Sequence, residues 1–268
     1  MLKDITIGRY YQTNSILHRL DPRTKLFGTV LFLITVFISD TLPGFVLATV
    51  FLLSMMIASG VPMMCYIKGI KGILPLMLIT MTFTLLFTGG DLVFNVWIIK
   101  ISKEGISQSV IVFIRFLYLI TGSSILTLTT KTNDLTDGLE RAFAPLNKIK
   151  VPVHDIAMMM GIAMRFIPIL TEEADKIMKA QMARGADFNE GGLVKKAKGL
   201  IPLIVPLIVS AINRALELAT AMETRCYRGG EGRTKMKPLK YSGRDYAAYS
   251  ICLVYILVSV TIKLAYVL

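Results

Sequence analysis

The sequence predicts an all-α integral membrane protein with about five transmembrane helices and a cytoplasmic region of amphipathic helices. Of the 268 residues, 54% are hydrophobic, above the roughly 45–50% that is usual in soluble domains. These apolar residues stand in long blocks with few charges. The formal net charge is +12, and the basic residues lie between the blocks, as the positive-inside rule describes for cytoplasmic loops.

The first apolar block, residues 26–39, follows a polar N-terminal segment. Residues 1–22 lack the apolar core of a cleavable signal peptide, so we expect this block to serve as an uncleaved signal-anchor. Asp21 is a good N-cap and Pro22 is tolerated at the first helical position. A helix is therefore predicted to begin here.

Four further blocks complete the predicted spans, at residues 45–58, 73–87, 109–130 and 247–268. The first three blocks of the chain are near the lower limit of about 17–20 residues for a span. Flanking Ser, Thr and Gly residues must therefore extend them.

The fourth span carries one charged residue, Arg115. A charge inside a span costs about 2.5–3.5 kcal/mol on insertion scales. Two interpretations are open: the side chain snorkels to the outer surface, or it forms a buried ion pair. Snorkelling is favoured, because Arg115 lies within about two turns of the start of the block.

Residues 131–245 form the predicted cytoplasmic region, between an N-terminal part with four spans (1–130) and the last span (246–268). Amphipathic helices are expected within 133–150, over 156–184 and over 212–225, whereas the apolar stretch 199–210 is too short to span. Lys and Arg counts place the N-terminus inside, and five spans then place the C-terminus outside.

Several function classes lack their motifs. No stretch matches GxxxxGK[ST], so we expect no nucleotide-hydrolysing loop. The three cysteines and two histidines are scattered, without disulfide or metal spacing. Neither catalytic nor cofactor-binding nor metal-binding residues are predicted. Positive-inside topology explains the basic charge, so no nucleic-acid partner is expected, and the shortage of mid-span charges disfavours an ion-coupled carrier.

Two predicted helices end in an Arg-containing tripeptide. Small residues flank each Arg, which lets a partner approach closely, and Arg pairs bidentately with carboxylates. Alternatively, each Arg only complements the helix dipole. Two such ends in one region favour a docking role. The tripeptides are Ala183-Arg184-Gly185 and Thr224-Arg225-Cys226.

Three motifs resemble the T component of energy-coupling factor (ECF) vitamin transporters. The first is SILHRLDPRTK at 15–25. The second is RFIP at 165–168, with the Glu pair at 172–173 and QMARGA at 181–186. The third is AMETRCYRGG at 221–230. The resemblance covers almost the whole chain.

The resemblance implies the energy-coupling subunit of an ECF-type ABC importer for a vitamin or micronutrient, in the cell membrane of a prokaryote. Its partners would be two ABC-type ATPases, which bind ATP and Mg, and a substrate-binding S component. Arg184 and Arg225 would dock on the ATPases, and this chain would hold no cofactor. The second tripeptide departs from the commoner Ala-Arg-Gly. The alternative is a conventional ABC importer permease, whose EAA motif has Gly where Lys179 stands here.

Overall fold

The computed structural model describes residues 10–96, 99–186, 199–229 and 239–267. The helices in these ranges are α1 (Pro22–Ile38), α2 (Leu42–Ser59), α3 (Met63–Phe87), α4 (Lys103–Thr129), α5 (Thr132–Phe143), a 3-10 helix (Ala144–Ile149), α6 (Val153–Ala183), α7 (Ile201–Thr224) and α8 (Gly243–Val267). Strands β1 (Leu92–Val96) and β2 (Ile99–Ser102) form an antiparallel hairpin between α3 and α4.

The described residues divide into two compact units. The membrane unit contains the described residues of 8–138 and 239–268, which include α1 to α4 and α8. The paired-helix unit contains the described residues of 139–238, which include α6 and α7. α5 crosses the boundary between the two.

The predicted all-α membrane class is confirmed. Six described helices, α2, α3, α4, α6, α7 and α8, are long and apolar enough to cross a membrane. The first predicted span is α1, which at 17 residues is slightly shorter. The expectation of about five spans is therefore close, and the difference comes from α6 and α7.

α7 differs from what the sequence predicted. The sequence predicts an apolar stretch at 199–210 that is separate from an amphipathic helix at 212–225, whereas the structure joins them in one helix of 24 residues. Pro206 lies only five residues after Ile201, and no Pro or Gly follows it within the helix. The chain therefore has no break that would end the helix at residue 210.

The start of α4 is set by a polar cap. Ser102 ends β2, and its hydroxyl accepts a hydrogen bond from the Gly105 amide at 2.9 Å. The same hydroxyl donates to the Thr88 carbonyl just after α3, at 2.8 Å. One side chain therefore caps α4 and ties the ends of α3 and α4 together.

The core of the membrane unit lies where α1, α2, α4 and α8 pack together. α1 approaches α4 closely at Gly122, where a Cβ atom would lie 2.8 Å from Cε1 of Phe32. Small residues allow this approach in membranes, where close packing replaces the hydrophobic driving force. The rings of Phe51 and Tyr255 stack with centroids 4.3 Å apart. The buried apolar side chains that form this one cluster are Leu17, Phe32, Val36, Ala48, Leu52, Met56, Val61, Tyr66, Tyr118, Ile125, Leu128 and Tyr255.

The N-terminal motif joins the start of α1 to the start of α8. The amide of Asp21 donates to Oδ1 of Asp245 at 2.8 Å, and the amide and hydroxyl of Ser242 donate to Oδ2 at 2.8 and 2.9 Å. Asp245 is almost fully buried. Arg23 pairs bidentately with Asp21, through Nε at 3.0 Å and Nη2 at 2.9 Å. This motif therefore has a packing role that its resemblance alone does not explain.

Lys25 extends this network to the end of α4. Its Nζ donates to the carbonyls of Thr129 at 2.9 Å and His18 at 3.4 Å. The His18 ring is held by the Ser15 hydroxyl, at 2.7 Å from Nδ1. Thr129 is the last residue of α4, so its carbonyl group accepts no hydrogen bond within the helix. Lys25 therefore satisfies a helix end.

Arg115 forms an ion pair, so snorkelling alone does not describe it. Its Nη2 lies 2.9 Å from Oδ1 of Asp40 and 3.3 Å from the Ser39 carbonyl. Lys263 lies 3.6 Å from the other carboxylate oxygen and donates to the Ile38 carbonyl at 2.9 Å. The Asp40 side chain is 62% exposed, so the pair is not buried either. Both cations lie at the C-terminal end of α1, where its dipole favours positive charge.

Candidate functional site

The first predicted docking tripeptide forms the C-terminal end of α6. Arg184 is the C-cap, and Gly185 turns left-handed with φ +88°. The Gly185 amide donates to the Met182 carbonyl, and the Ala186 amide donates to the Gln181 carbonyl, both at 3.0 Å. These two bonds define a Schellman motif, which stops the helix directly after the Arg.

The second tripeptide forms the same backbone motif at the end of α7. Arg225 is the C-cap. The Cys226 amide donates to the Glu223 carbonyl at 2.9 Å, and the Tyr227 amide to the Met222 carbonyl at 3.0 Å. Cys226 occupies the left-handed position with φ 57°, although Gly is the residue that adopts it without strain. The departure from Ala-Arg-Gly therefore leaves the backbone geometry unchanged.

All six residues of the two tripeptides are exposed. Within the described ranges, neither the Arg184 nor the Arg225 guanidinium has a hydrogen-bond or ion-pair partner. Each guanidinium group carries a positive charge and several N–H donors at the end of a helix. It can therefore donate hydrogen bonds to a carboxylate or to carbonyl groups of another chain. An exposed Arg flanked by small residues fits an external partner, and its position in the last turn also complements the helix dipole.

The two helices that carry these ends are joined by a polar cluster. The Ser210 hydroxyl donates to Oε1 of Glu173 at 2.6 Å. Arg214 donates to Oε2 through Nη2 at 2.9 Å and Nε at 3.3 Å. Glu173 lies in α6, and the other two lie in α7. We name Glu173, Ser210 and Arg214 the crossing cluster.

Sequence analysis missed the crossing cluster as a unit. In the sequence Glu173 stands out only as part of a motif, and no motif contains Arg214. The one signal is that Arg214 is the only basic residue within α7, which calls for a carboxylate, but Glu217 on the same helix already offers one three residues away. No other signal in the sequence pairs residues 41 positions apart.

A metal centre finds no support in the part of the chain that the structure describes. No group of three or more His, Cys, Asp or Glu residues lies close enough there to hold an ion.

Comparison with known proteins identifies what the chain is similar to. The family described as CbiQ, cobalt transport protein, matches residues 13–236. Curated relatives with the name energy-coupling factor transporter transmembrane protein EcfT are similar to most of the chain, and three of them illustrate this. The Clostridium kluyveri protein is 46% identical over 97% of both chains. The Heliobacterium modesticaldum protein is 49% identical over 92% of this chain and 93% of the relative. The Bacillus subtilis protein is 45% identical over 91% of this chain and 93% of the relative.

Proposed function

The chain belongs to the family of energy-coupling factor transporter transmembrane proteins, and from this premise we propose that it links two ABC-type ATPases to a substrate-binding S component. It is the transmembrane component of an ECF transporter in a prokaryotic membrane.

The observation that carries the proposal is the repeated geometry of the two helix ends. Both expose an Arg at the C-cap of a Schellman motif, with a small residue on each side. Two equivalent ends in one compact unit suit a pair of similar partner subunits. Arg184 and Arg225 are the central docking residues, and Ala183, Gly185, Thr224 and Cys226 leave space for the partner backbone.

The mechanism is a mechanical relay. ATP binding closes the two ATPases on each other, and the docked ends of α6 and α7 follow that closure. The two helices pass the displacement to the membrane helices and to the S component, which releases its substrate inside. The chain itself performs no catalytic step, and ATP and Mg are bound by the partner subunits.

The proposed orientation has the N-terminus in the cytoplasm and the C-terminus outside. The basic residues between spans support this arrangement. The docking role requires that α6 and α7 do not cross the membrane, because two consecutive crossings would leave the Arg184 and Arg225 ends on opposite sides. Alkaline phosphatase fused after Leu268 should be active, whereas a β-galactosidase fusion at the same site should be inactive. The reverse pattern would contradict the orientation.

Co-purification from detergent-solubilised membranes tests the proposed partners. We expect two ATPases to co-purify with the native chain and to be lost with Arg184→Ala plus Arg225→Ala. Lys176→Ala plus Lys179→Ala is the matched control, because it removes two exposed cations from α6 and leaves both helix ends intact. Absence of ATPases from the native preparation would contradict the proposal.

A further inference from the structure

The crossing cluster is the polar connection between α6 and α7. The Glu173 carboxylate accepts three hydrogen bonds from Ser210 and Arg214 across the two helices, at 2.6 to 3.3 Å. The side chains of Glu173 and Arg214 are 25% and 37% exposed. Such a partly solvated pair contributes little to stability, so the convergence of Ser210 and Arg214 on one carboxylate calls for another explanation.

The cluster lies at the same distance from both helix ends. Glu173 precedes Arg184 by 11 residues, and Arg214 precedes Arg225 by 11 residues. Eleven helical residues make about three turns and rise about 16 Å, with a rotation only about 20° beyond a whole number of turns. Each member of the ion pair therefore lies on the same face of its helix as the Arg at the end of that helix.

The intervening segments contain nothing that would bend them. Residues 173–184 and 214–225 contain neither Pro nor Gly, and both are helical up to their C-caps. Pro168 and Pro206, the internal prolines of α6 and α7, both precede the cluster. Because kinks arise mainly at such residues, the two segments are straight arms of equal length that start at the crossing point.

Apolar packing alone would not fix this crossing. Ala174 and Leu203 are the buried apolar residues that α6 and α7 contribute besides the N-terminal turn of α6, and apolar burial is non-directional. Hydrogen bonds from two residues of α7 to the two oxygens of one carboxylate are directional, and together they tolerate little sliding or rotation. The cluster therefore sets the register of one helix against the other.

We propose that Glu173, Ser210 and Arg214 are positioning residues that fix the spacing of the two Arg-bearing helix ends, so that closure of one partner site is transmitted to the other. This inference rests on the proposed docking function, and it identifies the residues that hold the two docking points at a fixed distance from each other. Loss of the cluster leaves both ends able to dock and removes the fixed relation between them.

A measurement of the distance between the two helix ends tests the positioning role in the chain itself. Cys226 is exposed and adjoins Arg225, so it accepts a spin label. Ala186→Cys provides the site for the second label. Cys65→Ser and Cys252→Ser remove the other two native thiols. In lipid nanodiscs the labelled chain should give one narrow distance distribution. Glu173→Gln should broaden it, and the exchange Glu173→Arg with Arg214→Glu should restore it. Glu172→Gln, the same change on the adjacent exposed residue, should leave it narrow.

A second measurement tests the consequence in the reconstituted transporter without labels. We expect both ATPases to stay bound in Glu173→Gln. The amount of substrate transported per ATP hydrolysed should fall by about threefold or more, because interaction free energies between contacting residues correspond to factors of this size. The charge exchange should recover the ratio. A merely stabilising cluster would instead lower the yield and leave the ratio unchanged.

The outcomes separate this inference from the proposed function. If no ATPases are bound to the native chain, the proposed function is contradicted. The distance measurement would still decide whether the crossing cluster fixes the distance between the two helix ends. Bound ATPases with unchanged distance distributions and unchanged transport ratio in Glu173→Gln overturn the inference alone.

Discussion

At the ends of α6 and α7, one left-handed residue decides how sharply each helix stops. Gly185 has this conformation at no steric cost, and nothing lies within 4 Å of where its Cβ would be. Cys226 has it with a side chain, which costs roughly 1 kcal/mol. The two ends therefore have one geometry and different intrinsic strain.

Exchanging these residues should shift local stability in opposite directions. Cys226→Gly should strengthen the end of α7, and Gly185→Ala should weaken that of α6, each by about 1 kcal/mol, or about fivefold in local opening. Hydrogen exchange at the amides of Tyr227 and Ala186, which close the two motifs, measures this directly. Equal exchange rates in the native and variant chains would contradict the claim that the left-handed conformation of these two residues controls the local stability of the helix ends.

Asp245 is the buried acceptor that holds the N-terminal motif against α8. Asp245→Ala would leave the Asp21 amide and the Ser242 amide without their acceptor, at a cost of about 1–3 kcal/mol for each group left unsatisfied. We expect a lower Tm for the purified protein in detergent. Asp155→Ala, at an exposed first-turn position of α6, is the control and should change Tm little. Similar Tm values for both variants would exclude the role assigned to Asp245.

At the scale of the helices, the contact of α1 with α4 depends on Gly122. Gly122→Ala places a methyl group about 2.8 Å from the Phe32 ring, an overpacking that costs roughly 1–3 kcal/mol. Gly161→Ala is the matched control, because nothing lies within 4 Å of its Cβ position and Ala favours the helix. Thermal unfolding should show a loss for the first and a small gain for the second. Phe32→Leu should rescue Gly122→Ala, and failure to rescue would place the clash elsewhere.

The sequence predicts the helices better than it predicts their partners. Hydropathy blocks locate α1 to α4 and α8, because a span needs a long apolar run whatever it packs against. α7 was divided because its apolar and amphipathic halves differ in composition, although no residue between them ends a helix. The hairpin of β1 and β2 lay in a stretch without a clear period, so it was not predicted.

The candidate site shows the same limit. Arg184 and Arg225 could be identified because each ends a helix and is flanked by small residues. Their common Schellman geometry could not be predicted for the second end, because Cys226 is not a residue that favours a left-handed conformation. The pairings of Arg115 with Asp40 and of Glu173 with Arg214 join residues 75 and 41 positions apart, and no local pattern indicates either.

At the scale of the whole molecule, the charges follow the proposed division of labour. Arg115 and Lys263 both pair with the Asp40 carboxylate and with carbonyl groups at the end of α1, within the membrane unit. The guanidinium groups of Arg184 and Arg225 have no such partner among the described residues. These two basic residues of the membrane unit are thus paired within the fold, whereas the two Arg residues at the ends of α6 and α7 are exposed.

Binding of the ATPase pair to the chain in lipid nanodiscs tests the central claim most directly. Each Arg whose docking contact is desolvated should contribute about 2–5 kcal/mol, so Arg184→Ala and Arg225→Ala should each weaken the Kd by at least about 30-fold, and the double variant should abolish measurable binding. An unchanged Kd for the double variant, with the native chain binding tightly, would contradict the claim that these two helix ends are the docking points.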